Sequence, residues 1–160
     1  MNRRAIITAV LALSFAAAAQ AADLNAPIPT TPTLGSEIKR GFSVAQSCSD
    51  RSQLGGQMFH CVDDASKANR ARAVGGDDAF SLGLYFGGWY YANFALGAAA
   101  RMSGMETYKA DWQRQADGDW TLFRIYQKKL DLTDLQVVTA AGLNPAATDE
   151  LFAPWIARGQ

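Results

Sequence analysis

Residues 79–100, AFSLGLYFGGWYYANFALGAAA, run for 22 positions without a charged side chain. Asp78 precedes the run as a candidate N-cap, Arg101 follows it where a cation suits a last turn, and Gly104 stands where a helix can stop. Phe80, Leu84, Gly87, Tyr91, Ala98 and Met102 recur at helical spacing along one stripe, and Phe86, Trp89, Tyr90, Asn93 and Gly97 occupy the opposite one. A helix apolar nearly all round must be enclosed by other helices or by lipid. Gly83, Gly87, Gly88 and Ala92 let a neighbouring helix approach closely. That closeness has to offset about 1 kcal/mol for each interior glycine.

As a helix the run would reach about 33 Å, long enough for a bilayer, and Gly83 with Gly87 forms a GxxxG pair. Four glycines, Ser81 and Asn93 dilute its hydrophobicity, and the basic residues on its two flanks are balanced. A buried core helix is therefore the expectation. Membrane association through residues 79–100 is the alternative.

The flanking segments supply helices to enclose it. Ser36 and Glu37 suit a helix start, after which Ile38, Phe42, Ala45 and Cys48 recur on one face. Beyond Gly55 and Gly56, Met58, Cys61, Val62 and Ala65 do the same, with Asp63, Asp64, Lys67, Arg70 and Arg72 as a solvated charged face. Tyr108 and Trp112 suit a further helix, and Asp117-Gly118-Asp119 reads as a turn. Residues 120–130 then read as a helix, with a short strand at TLFRIY as the other choice. Thr133 caps a helix that Gly142 stops, and Thr148 opens a last one carrying Leu151, Phe152, Trp155 and Ile156. These segments predict a mainly α, single-domain bundle of about five to seven helices with a long central apolar helix and one disulfide.

The N-terminus predicts where the chain goes. Arg3 and Arg4, the apolar stretch Ala5–Ala18 and Ala19-Gln20-Ala21 have the order of a secretory signal peptide cleaved after Ala21. Residues 22–35, with Pro27, Pro29 and Pro32 among threonines, read as a flexible arm, which leaves 36–160 as the helical domain. Cleavage removes two of the 15 basic residues and none of the 15 acidic ones, for a formal charge of about −2. A nucleic-acid partner would call for a basic surface, so none is expected.

Export decides how the two cysteines are read. In an oxidising compartment Cys48 and Cys61 are expected to pair across a tight connection containing Gly55 and Gly56. A thiolate relay from Cys61 to His60 is disfavoured because adjacent helical residues do not face each other, and neither CxxC nor HxxxH spacing supports a metal site.

No GxSxG turn, CxxCH motif or phosphate-binding glycine loop occurs, so no catalytic residue, cofactor or metal is assigned. Paired carboxylates are the one enzymatic alternative: Glu106 with Asp111 or Asp119, beside Trp112 and Trp120 for sugar stacking, in a cell-envelope hydrolase. The leading expectation is an exported periplasmic, non-catalytic interaction protein: a binding, chaperone-like or inhibitor subunit with a protein or apolar small-molecule partner. Phe86, Trp89, Tyr90 and Asn93 are its candidate binding face if accessible, and ordinary core if not.

Overall fold

A computed structural model describes residues 32–52, 55–72 and 78–159. The expected signal segment 1–21 and most of the expected arm lie outside them. Among the described residues there are six helices and no strand: α1 (Pro32–Arg51), α2 (Gly55–Arg72), α3 (Asp78–Ala99), α4 (Glu106–Lys129), α5 (Asp134–Ala140) and α6 (Thr148–Ile156), the last preceded by a 3-10 turn at Pro145–Ala147. The mainly α bundle holds.

α1 begins at Pro32 rather than after Ser36, so the end of the expected arm is helical. Proline is tolerated in a first turn, where its missing N–H would have had no intrahelical acceptor. Its inward face is the one the spacing gives: Ile38, Phe42, Ala45 and Cys48 are all buried. α2 returns antiparallel to α1. Its Met58 and Val62 are buried, Arg40 of α1 donates to Asn69 of α2 at 2.9 Å, and Cys48 is bonded to Cys61 with their Cα atoms 5.7 Å apart. The pairing that spacing and the expectation of export predict is therefore present, and it closes the α1–α2 connection. Cys48→Ser is expected to lower stability by about 3 kcal/mol, read as a lower midpoint in thermal unfolding under non-reducing conditions.

α3 runs parallel to α1 and nearly in backbone contact with it. A β-carbon built on Gly41 would lie 2.7 Å from the Leu84 amide nitrogen, one on Gly83 2.7 Å from the Ile38 carbonyl carbon, and one on Gly87 2.6 Å from the Ala45 β-carbon. These glycines are the surface along which two helices touch. Gly83→Ala is expected to destabilise by about 1 to 3 kcal/mol, because backbone must move and the gain in helix propensity is smaller. Gly97, with nothing within 4 Å of its would-be β-carbon, is the contrast. Gly97→Ala should stabilise by up to about 1 kcal/mol, and denaturant unfolding of both variants beside wild type checks the pair.

α3 is not enclosed along its whole length. Residues 79–89 are buried without exception, whereas Phe94, Gly97 and Ala98 are exposed. No helix among the described residues is long and apolar enough to cross a membrane.

α4 packs antiparallel on α3, fastened at one end by Lys129 to Asp78 at 2.7 Å. It passes unbroken through Asp117-Gly118-Asp119, where the sequence suggests a turn, and through TLFRIY, where a strand was the other choice. The reason is tertiary. Trp112, Gln115, Ala116, Asp119, Trp120, Phe123 and Gln127 are buried at intervals of three or four, so one continuous helix buries a face that a turn would split. Locally, Gln113 donates to Asp117 at 2.8 Å and the Thr121 hydroxyl to the Asp117 carbonyl at 3.0 Å.

Thr133 caps α5 in a reciprocal capping box with Gln136, and Gly142 (φ 82°) stops the chain just beyond it. Thr148 is not a cap. Asn144 caps the 3-10 turn instead, and the Thr148 hydroxyl donates to the Pro145 carbonyl at 2.6 Å.

Candidate functional site

The expected binding face divides between the interior and the surface. Phe86 and Trp89 are both 0% exposed. α6 covers them: the Trp89 ring lies 5.2 Å from Phe152 and 5.7 Å from Trp155, centroid to centroid, with Trp120 of α4 at 5.0 Å on another side. Phe86 sits 5.2 Å from Phe123. These two residues therefore belong to the core, since a side chain walled in by aromatics from three helices has no surface to offer. Tyr90 is half-buried between Phe42 and Tyr91.

Asn93, one turn further along α3, is where the face reaches solvent. Its Oδ1 accepts from the Trp155 indole N–H at 3.1 Å. It lines a groove of about 500 Å³ between α3 and α6, together with Glu150, Pro154, Trp155 and Arg158. Pro154 lies inside α6 and has no N–H, which leaves the Glu150 carbonyl without its usual helical donor. Arg158 lies over the Trp155 ring at 4.9 Å. The groove thus combines an apolar floor, a side-chain amide and both signs of charge.

Beside it, α3 leaves the core. Phe94 is 75% exposed and Met102 56%, and the coil continues past Ala99 through tightened turns, Arg101 N–H to the Ala98 carbonyl and Met102 N–H to the Ala99 carbonyl. Phe94 and Ala98, four apart on α3, and Met102 just beyond its end therefore make an uncovered apolar stretch whose nearest charge in sequence is Arg101. Periodicity places Met102 with the core residues Phe80 and Leu84. The structure corrects this, because the helices that enclose the first half of α3 do not extend over its end.

Of the carboxylates named for hydrolysis, Glu106 and Asp119 are not brought together. Glu106 and Asp119 share one helix, and at 1.5 Å per residue they are about 20 Å apart along its axis, beyond the span that two carboxyls can place around one glycosidic bond. Glu106 is paired with Lys109 at 2.9 Å and Asp111 with Arg114. Trp112 and Trp120 are buried, so neither presents a ring face for a sugar.

Asp119 is the side chain whose environment the sequence does not disclose. It is 3% exposed, and burial pushes its carboxyl up to about 8 against the opposing hydrogen bond from Gln115. Its spacing from Trp112, Ala116, Trp120 and Phe123 is the available signal, hidden when residues 117–119 are read as a turn.

Elsewhere, His60 is exposed and Cys61 is in the disulfide, so the pair cannot act as base and thiolate. Lys67 is paired with Asp63, and Arg70 donates to the Ser66 hydroxyl at 3.1 Å. No group of three or more His, Cys, Asp or Glu among the described residues could hold a metal ion. No protein-family model matches the chain, and no curated protein or solved structure is significantly similar to it.

Proposed function

We propose that this chain is an exported, periplasmic, non-catalytic interaction protein that engages a protein partner through the end of α3 and the adjoining α3–α6 groove. The observation that carries the reading is the stretch Phe94, Ala98 and Met102, left uncovered by a bundle that buries residues 79–89 of α3 completely. Exposed apolar side chains beside a groove with polar groups are the make-up of a protein contact: an apolar centre with hydrogen-bonding groups at its edge. The N-terminal pattern and the disulfide support export. Asn93 keeps its proposed role at the edge of this surface. Phe86 and Trp89 support it from beneath.

The test places a photo-crosslinking residue at position 94, and as a control at Leu122 on α4, in cells of the native source. A single dominant adduct from position 94 identifies the partner. Phe94→Ser is then expected to weaken that complex by about 2 kcal/mol or more while changing fold stability by less than about 0.5 kcal/mol. Adducts no more specific at position 94 than at 122 would reject the surface. Mass spectrometry of the exported protein checks the other half of the reading, with a mature N-terminus at Ala22 expected.

A further inference from the structure

The α3–α4 contact contains a carboxyl group with no cation to answer it. Asp119 points at Gly88 of α3, and a β-carbon on Gly88 would stand 2.8 Å from the Asp119 Cγ, so the missing side chain is the space the carboxyl occupies. Its hydrogen-bond neighbour on α4 is the neutral Gln115, whose Nε2 donates to Oδ2. From α3 the titratable neighbour is Tyr85, which burial raises above its ordinary value and whose hydroxyl is bonded to Ser66 of α2 at 2.9 Å. Arg70 of α2 is directed to Ser66, while Arg124 is engaged by Asp134 and Gln127, and Lys129 by Asp78. Among the described residues, no charged side chain offsets the burial of Asp119.

Three further buried groups around this contact have no hydrogen-bond partner: Gln115 Oε1, Trp89 Nε1 and Trp120 Nε1. Trp89 follows Gly88 in α3, Trp120 follows Asp119 in α4, and their rings are 5.0 Å apart. The contact is tight and apolar, and it is short of hydrogen bonds.

We propose that Asp119 is a proton-operated clasp: as the neutral acid it seats α4 in the Gly88 notch of α3, and loss of its proton to solvent loosens the two helices and opens the tryptophan core. A carboxylate in this notch would have Gln115 as its one donor, and a buried charge requires more partners or water. With Asp119 3% exposed, separating α3 from α4 is what lets water surround the charge. Separation would also hydrate the unpaired Gln115 oxygen and the two indole N–H groups, so the orphaned groups favour the opened state once the charge has formed. The placement of the carboxyl near 8 puts the changeover within reach of ordinary pH values. This inference does not depend on the proposed partner surface.

The test follows tryptophan emission, acrylamide quenching and near-ultraviolet circular dichroism from about pH 5 to about pH 9.5, below the Tyr85 titration, on the disulfide-bonded protein and on Asp119→Asn. The wild type is expected to show a reversible one-proton transition near pH 8, with red-shifted emission and a several-fold rise in quenching while the far-ultraviolet helical signal persists. Asp119→Asn, whose amide resembles the neutral acid in shape, should remain closed throughout. A wild type with no such transition would overturn the clasp. So would the same transition in Asp119→Asn, or an Asp119→Asn protein already open at about pH 6.

Discussion

Trp89→Ala is expected to cost about 3 to 5 kcal/mol, a large part of the stability of a domain this size. The indole is 0% exposed and has Phe152, Trp120, Trp155 and Phe86 within 5.8 Å, centroid to centroid. Truncation would leave a cavity bounded by α3, α4 and α6. Rigid, mutually packed rings cannot collapse into such a space, so the cavity cost persists in addition to the lost transfer energy. Tyr91→Ala is the comparison. Periodicity puts Tyr91 on the core stripe, but the structure leaves it half-buried beside Phe42 and Tyr90, and its truncation should cost only about 1 to 2 kcal/mol. Guanidinium unfolding of both variants checks the order. A Trp89→Ala protein within about 1 kcal/mol of wild type would mean that α6 does not seal the core as described.

The contrast between Trp89 and Tyr91 marks what the sequence made legible. Periodicity identified the inward face of α1 residue by residue, because a helix whose other positions are polar has one face to bury. The glycines of α3 announced a close approach, and Gly41 on α1 proves to be part of the answering surface. The disulfide followed from the cysteine count and the expectation of export. Periodicity fails on α3 itself, where both faces are apolar. A helical wheel separates Trp89 from Tyr91 but does not say which neighbour covers which, and it is the short α6 that places Trp89 inside.

The Asp117-Gly118-Asp119 triplet misleads for a different reason. Its local chemistry favours a turn by a fraction of a kcal/mol per residue, while burying Trp112, Ala116, Trp120 and Phe123 along one face is worth several kcal/mol, so burial prevails and the segment is helical. The two aspartates then separate. Asp117 stays near the surface, bonded to Gln113, and Asp119 is carried inward. The candidate surface was partly legible in the same way. Asn93 stands out in the sequence, but Phe94 and Met102 emerge only once the extent of the enclosing helices is known.

The buried acid leads to the other large expected effect, a dependence of stability on pH that Asp119→Asn abolishes. The folded-state pKa is raised to about 8, whereas an aspartate in an unfolded chain titrates near 3.9. Between those values the folded chain holds a proton that the unfolded chain has released, so raising the pH favours unfolding. The contribution is fully present below about pH 4, declines by about 1.4 kcal/mol per pH unit, and is gone above about pH 8, for a total near 6 kcal/mol. At pH 7 the neutral amide should therefore make Asp119→Asn more stable than wild type by about 4 kcal/mol, while at pH 4 the two should be nearly equal. Subtracting the two unfolding free energies at each pH removes the titration of every other carboxylate, which both proteins share. A difference that is flat from pH 4 to pH 8 would show that Asp119 ionises normally in the folded protein, and with it the core would have to admit water or a cation at Gly88.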